Sequence, residues 1–345
     1  MKKTVSLFVL FFIILFLAGC SLVRVLDYKK ISEPQLIFRA GEEKEIIRRK
    51  IDGVEVFSRA EESLYPVAVM IENAADAWPL SGLDKAQLVI EAITEASIPR
   101  FVAIYATDDK VDKIGPVRSA RPYYLDWVEP FKPLYMHVGG SPEALQKIKS
   151  KDYQLIDLDQ FFQSKYYWRD TKWRVAPHNV YTSSELIQKA LEDKNLTESI
   201  DYEMWQYKSD LELEKRPDEI GDIIVSYTNN YYKVIWRYDR EENNYVRYQR
   251  GEVQKMSDGE WLKAKNIVVQ VNKMIVLDSV GRKKIETIGE GKAWVFRDGQ
   301  AIEGSWVKES IEKRERYFDN EGREIEFNGG TTWIQVIPNE NYLQY

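Results

Sequence analysis

The chain has one cysteine, Cys20, so no disulfide can close within it and no cysteine-based metal site can form. Histidine is almost as scarce. His137 and His178 are the only two, and neither belongs to a dense ligand motif such as His-Glu-x-x-His. A Gly-x-Ser-x-Gly elbow and a Gly-x-x-x-x-Gly-Lys phosphate loop are also missing, and no cysteine remains downstream of Cys20 to act as a nucleophile. No metal and no cofactor is expected. Nor is positive charge in excess: 49 basic against 55 acidic side chains give a formal net charge of −6. Such a chain has no general attraction to polyphosphate, which excludes nucleic acid as the main partner. Low-complexity tracts and internal repeats are absent. The one long hydrophobic run, residues 4–16, is shorter than the roughly 20 apolar residues of a spanning helix.

That run follows Lys2 and Lys3 and closes on Leu17-Ala18-Gly19-Cys20. A basic start, a short apolar stretch and small residues before a cleavage point describe a secretory signal, here residues 1–19. Leu-Ala-Gly-Cys resembles the bacterial lipoprotein box. The resemblance implies cleavage after Gly19, diacylglycerol on the Cys20 sulfur and a further acyl chain, such as palmitate, on its amine; two or more chains anchor stably where one does not. The expected location is the extracytoplasmic face of the cell membrane, held by lipid. The alternative is a cleaved signal that happens to precede a cysteine. Cleavage would remove Lys2 and Lys3, leaving 47 basic against 55 acidic side chains and a net charge of −8. With 44% hydrophobic and 30% charged residues, the rest can build a core.

Residues 20–63 read as the acylated N-terminus and a charged tether, with 44–50 forming either a helical turn or a strand. From residue 64 to 205 strand and helix patterns alternate, predicting an α/β domain of sheet layered with helices. Strands are expected at 67–71, 101–106 and 134–138. A helix is expected at 83–96, where Leu83, Ala86, Val89, Ile90 and Ile93 recur at three-to-four spacing. Pro122 opens a short helix to Val128, and Ser141-Pro142 caps and starts another. Thr182-Ser183-Ser184-Glu185 has the form of a capping box before a helix to about residue 193. Residues 215–340 change character. Short β-rich stretches joined by Asn229-Asn230, Asn243-Asn244, Asp298-Gly299 and Gly329-Gly330 predict hairpins and a β-rich second domain, α+β overall.

Candidate chemistry concentrates in the first domain. Gly115-Pro116-Val117-Arg118-Ser119-Ala120-Arg121 sets two guanidinium groups beside a helix start, a pairing suited to an anion. The alternative is that Arg118 and Arg121 pair with carboxylates such as Asp108, Asp109, Glu91 or Asp126 and pin loops. His137 ends a strand just before Gly139-Gly140-Ser141, where α/β folds place ligands. His178 and Asn179 lie in the loop ahead of the capped helix. Glu91 and Glu95 share a face of the expected helix, with Arg100 as the nearest counter-charge, and Asp170 is a third carboxylate. Either histidine could act as acid or base with one of these carboxylates, or be a satisfied polar residue of the core. Tyr123, Tyr124, Trp127, Tyr166, Tyr167, Trp168 and Trp173 cluster near these segments, either as core or as a stacking surface for sugar or a partner.

The segments from Pro66 to Asn73, Gly115 to Arg121, His137 to Pro142 and Ala176 to Tyr181, in that order, resemble the YerB-like lipoproteins of Gram-positive bacteria. Those carry two linked domains of unknown function. Similarity to the second lies in Gly289-Glu290-Gly291, Val295 to Gly299, Gly304-Ser305-Trp306 and Thr332-Trp333-Ile334. Where the family reads Asn-His-Pro and Arg-Pro-Gln-Ser-Gly-Leu, this chain has Asn73-Ala74-Ala75 and Trp78 to Leu83, so a third histidine is missing. That departure argues against a histidine-based catalytic set. The resemblance implies an envelope lipoprotein near peptidoglycan-synthesis proteins. The expected role is non-catalytic: binding an anionic cell-wall group through Arg118, Ser119, Arg121, Gly139, Gly140, Ser141, His137, His178 and Asn179. The alternative is a cell-wall hydrolase or transferase using His137, His178 and a carboxylate among Glu91, Glu95 and Asp170.

Overall fold

Val67, Val69 and Ile71 face one hydrophobic core while Ala68 and Met70 face another, which is why this segment reads as an unbroken apolar run. It forms strand β1 (Val67–Ile71). The computed structural model describes residues 46–197 and 199–345; the signal, Cys20 and the tether up to residue 45 lie outside the described residues. No helix among the described residues is long and apolar enough to cross a membrane.

The first half of the chain continues with β2 (Leu88–Ile93), β3 (Pro99–Tyr105), α1 (Pro122–Val128), β4 (Leu134–His137), α2 (Pro142–Ile148), β5 (Ile156–Asp159) and α3 (Ser184–Asp193). The second half supplies β6 (Ile223–Ser226), β7 (Lys233–Asp239), β8 (Asn244–Gln249), β9 (Asn266–Val271), β10 (Met274–Val276) and β11 (Lys283–Ile285). It ends with β12 (Gly289–Arg297), β13 (Gln300–Lys308), β14 (Arg316–Asp319) and β15 (Thr332–Ile337). Ten of these strands make one sheet, in the order β14-β13-β12-β9-β15-β2-β3-β1-β4-β5. Both halves therefore share it. The splice is parallel, Thr332 opposite Leu88 through Val336 opposite Ala92. A six-stranded antiparallel sheet built on β6, β7 and β8 covers one face, and α1, with the segment around Tyr202 and Trp205, covers the other. The result is a sheet-rich layered α+β fold with a strand-rich C-terminal part, as the pattern predicts.

The helix expected at 83–96 is a strand. Leu83–Lys85 makes one 3-10 turn and Leu88–Ile93 is extended. Val89 and Ile93 face one core and Leu88, Ile90 and Ala92 the other, so a strand buried on both faces mimics helical spacing. Its β-branched content fits the central position between β15 and β3. Other local signals hold. Ser141 caps α2 by accepting from Ala144 N, and Ser183, one residue later than the expected Thr182, caps α3 by accepting from Leu186 N. Asp298 and Gly299 join β12 to β13 with φ of 52° and 71°, the left-handed pair a two-residue hairpin turn needs.

Where the six-stranded sheet packs on the ten-stranded one, a charge pair sits in the core. Glu91 on β2 and Arg247 on β8 are both fully buried, 2.8 Å apart. The other Glu91 oxygen accepts from Trp333 Nε1 at 2.9 Å and Gln335 Nε2 at 3.2 Å, both on β15. Arg247 also donates to Gln249 and Gln254. Its guanidinium lies 5.2–5.8 Å from the ring centres of Phe101, Trp236 and Trp333. Burial pushes the Glu91 carboxyl upward in pKa, and the Arg247 charge and the Trp333 and Gln335 hydrogen bonds pull it back. Removing one member strands the other. Arg247→Met is expected to lower stability by about 3–5 kcal/mol, read as a urea midpoint, and Glu91→Gln with Arg247→Met to recover part of that loss.

Candidate functional site

The carboxyl ends of the parallel strands β1, β4 and β5 lie together, and segment 117–120 crosses them. Arg118 N donates to Met70 O at 2.8 Å, Val138 N to Arg118 O at 3.0 Å and Ala120 N to Gly139 O at 2.9 Å. Glu72 directly follows β1, its amide held by Pro116 O at 3.0 Å. Its carboxylate is buried and takes two partners: Arg118 Nε at 3.0 Å and His178 Nδ1 at 2.8 Å. The Arg118 contact is an ion pair whose angle falls short of a hydrogen bond, since Nε has no bonded partner. His178 is partly exposed, and among the described residues nothing pairs with its Nε2. Arg118, Glu72 and His178 thus form one cluster, with Arg118 reaching Pro177 O at 3.5 Å.

His137 belongs to a different group. It is fully buried, with Nδ1 2.8 Å from Gly139 O and Nε2 2.9 Å from Asp157 Oδ1. Both ring nitrogens face acceptors, an arrangement that the doubly protonated ring satisfies in full. Partial burial works to raise the Asp157 pKa, but the His137 hydrogen bond and charge and the Asp159 amide overcome it and hold the carboxyl below its usual range. Arg121 is engaged as well. Its Nε and NH2 fork grips Glu95 at 2.5 and 2.7 Å, and NH1 donates to Ala120 O. Burial opposes the Glu95 charge, and the Arg121 fork outweighs it, lowering the carboxyl. Arg121 and Ser141 share a cavity of about 260 Å³ with Glu95, Glu143, Arg282 and Lys283.

The helix start at 139–141 is internally used. Gly139 N donates to Asp159 Oδ1 at 2.9 Å, Ser141 N to Ala120 O, and Ala144 N to Ser141 Oγ. Ser119 O accepts from Arg100 at 2.9 Å, so Arg100 does not bridge Glu91 and Glu95 as the helical spacing implied. Asn179 is buried and its Oδ1 accepts from Arg169 at 2.9 Å. Asp170 pairs with Lys113 at 2.7 Å, which lowers its pKa. Glu91 is sealed in the core. Glu72 and Asp157 are the carboxylates the sequence reading missed; Glu72 directly follows a strand, the one signal available for it, while Asp157 lies inside one. A larger cavity of about 420 Å³, between residues 105–114 and α3, holds none of the candidate residues.

Of the aromatic cluster, Tyr123, Tyr124, Trp127, Tyr166 and Tyr167 are buried, Trp168 is half-buried and Trp173 is 73% exposed. Trp173 is joined at the surface by Phe161, Phe162 and Val175, at 66, 80 and 79%. The Phe161 ring lies against Gly139. Arg169, which opens the loop carrying Trp173, Val175 and His178, reaches Gln160 beside Phe161. The loop is pinned by Arg174 donating to Asp76 O and Pro79 O, and by His178 N donating to Val175 O. Val175 thus sits beside His178 in this loop, and Phe161 lies against Gly139, whose carbonyl accepts the Ala120 amide two residues on from Arg118.

A depressed carboxyl stabilises the fold above its unfolded pKa, and the gain is lost as pH falls through the folded value. Asp157→Asn is expected to cost at most about 1 kcal/mol at neutral pH, since the side chain is 40% exposed. The gap from the parent should close below the ordinary value of 3.8, followed by urea unfolding across pH.

Residues 53–197 match the family described as Protein of unknown function (DUF3048) N-terminal domain, and 223–334 match its C-terminal domain. The chain is 33% identical over 284 residues to the candidate lipoprotein YerB of Bacillus subtilis (strain 168), covering 79% of this chain and 81% of that one. The crystal structure of Bacillus subtilis YerB superposes with a TM-score of 0.76 at 29% identity, covering 86% of this chain and 98% of that one. The protein belongs to the two-domain DUF3048 family of YerB.

Proposed function

We propose that the protein is a membrane-associated lipoprotein of the cell envelope that binds a cell-wall polymer fragment without chemically altering it. The kinship with a candidate lipoprotein and the Leu17-Ala18-Gly19-Cys20 box support association with the extracytoplasmic membrane face through acylated Cys20. The binding site is the surface around Glu72, Arg118 and His178. One observation carries this reading: Glu72, Arg118 and His178 form a polar cluster at the carboxyl end of a parallel strand, and the loop that brings His178 there also bears the exposed Trp173 and Val175. Flat rings offer faces for sugar rings, and the partly exposed Arg118 and the Nε2 of His178, unpartnered among the described residues, offer hydrogen bonds to an acidic or hydroxyl group beside them. Arg121, its fork already filled by Glu95, is a secondary element that an anion would have to recruit by displacement. Envelope proteins of peptidoglycan synthesis are the partners this role implies.

A second reading has its own observation. A carboxylate on Nδ1 of a histidine whose Nε2 is free is the arrangement of a general base, so the Glu72-His178 pair could serve a hydrolase or transferase. Two experiments separate the readings. Purified mature protein is expected to bind muropeptides or teichoic-acid fragments, with Trp173→Ala weakening affinity by roughly tenfold, in line with the more than about 1 kcal/mol that truncating an energetically important interface aromatic costs. Unchanged affinity in both Trp173→Ala and the Arg118→Ala, Arg121→Ala double variant would remove the site. Release of soluble fragments from sacculi, abolished by His178→Ala, would establish the catalytic reading instead.

A further inference from the structure

The β10–β11 hairpin lies at the surface, with Gly281 of its turn close to the Ala96 backbone. Its base is packed: Met274 and Ile285 face each other across the strands and join the core beneath α1. Its outer end is bare, with Ile275, Val276, Leu277 and Val280 at 48, 64, 48 and 67% exposure. A structured loop holds these side chains out in water. Asp278 accepts from the amides of Val280 and Arg282 at 3.1 and 3.2 Å and from Arg282 Nε at 2.5 Å. Leu277 N closes the loop on Arg282 O at 2.7 Å.

The charge around this tip runs against that of the whole chain. Residues 273–286 hold Lys273, Arg282, Lys283 and Lys284 against Asp278 and Glu286, while the protein is acidic overall. Both acids are taken: Asp278 by Arg282, and Glu286 by Lys273 at 2.9 Å. Lys283 and Lys284 are left with no carboxylate partner among the described residues, and they stand opposite Val276 and Ile275 in the strand register. Cation and aliphatic side chain thus pair on both faces: Ile275 with Lys284 on the outer one, and Val276 with Lys283 beyond the packed Met274-Ile285 pair.

We propose that this hairpin contacts the membrane surface, its aliphatic tip entering the headgroup and acyl boundary while Lys283 and Lys284 meet anionic lipid phosphates. The tip is aliphatic, with no Trp or Tyr from residue 275 to 283, unlike the aromatic anchors that fill pockets at protein interfaces. A fluid bilayer needs no matching pocket. Apolar side chains beside unmatched cations suit an anionic leaflet, where burial and electrostatic attraction add. The contact needs neither the acyl chain nor the Glu72 cluster, and together with a tether it would set the orientation of the body on the membrane.

The test uses chain 21–345, which keeps the whole compact unit 46–345 and carries no acyl group and no cysteine. A polarity-sensitive fluorophore is attached to Val280→Cys or, at the rival exposed apolar surface, to Phe161→Cys. With vesicles of roughly equal phosphatidylglycerol and phosphatidylcholine, the Val280 label is expected to shift to the blue and the Phe161 label to stay unchanged. The unlabelled chain should co-sediment with these vesicles. Lys283→Gln with Lys284→Gln should weaken that binding by roughly 25-fold, about fivefold for each charge. Absence of co-sedimentation overturns the proposal, as does a Phe161 shift equal to or larger than that of Val280. Full binding by the Val276→Ser, Leu277→Ser, Val280→Ser variant, its fold checked by near-ultraviolet circular dichroism, also overturns it. None of these outcomes involves a cell-wall ligand or Cys20, so failure here leaves the proposed polymer-binding role standing.

Discussion

The carboxylate of Glu91 is the point through which the two halves of the chain are joined. It lies on β2, in the middle of the shared sheet, and its oxygens are claimed by Arg247 from the covering sheet and by Trp333 and Gln335 from β15. A charge with no water around it tolerates no vacancy among its donors. The arrangement therefore specifies the parallel register of β2 and β15 and the placement of β8 above them at the same time. Any slip of one residue would turn Glu91 to the opposite face, into the apolar core that Ala68, Met70 and Tyr124 line. The aromatic box of Phe101, Trp236 and Trp333 excludes water and supplies ring faces to the guanidinium.

With that splice in place, the parallel strands β1, β4 and β5 are set side by side and their carboxyl ends open on one edge of the fold. Two of those strands, β1 and β5, bring buried or half-buried acids, and β4 ends on His137. Glu72 orients His178 and Arg118, Asp157 meets His137, and Asp159 takes the Gly139 amide. The acids neutralise the cations that the sequence offers, so the surface is polar but not strongly charged. Its cations are engaged by acids, and Trp173 and Val175 on the His178 loop are exposed. The β10–β11 hairpin is the opposite kind of feature, aliphatic and locally basic.

Much of the local structure was legible from residue patterns. Strand β1, helices α1, α2 and α3 and the Asp298-Gly299 hairpin all follow from apolar runs, caps and turn residues. The strand-rich character of the second half follows in the same way. Residues 83–96 were misread because spacing alone cannot separate a helix from a strand buried on both faces. The candidate site was partly legible. Arg118 and His178 do meet, but through Glu72, a residue with no motif around it. His137, by contrast, is committed to its own acid inside the sheet.

What the sequence determined by itself was short-range: the N-terminal box ending at Cys20, the acidic balance, the scarcity of thiols and imidazoles, and the elements built from neighbouring residues. These depend on composition and on spacings of a few residues, which the chain states directly. Tertiary structure alone decided which charges meet, since Glu91 and Arg247 are 156 residues apart and Glu72 and His178 are 106 apart. A side chain's partner is set by strand register and sheet order. Those are chosen by the packing of the whole molecule, and no local pattern encodes them.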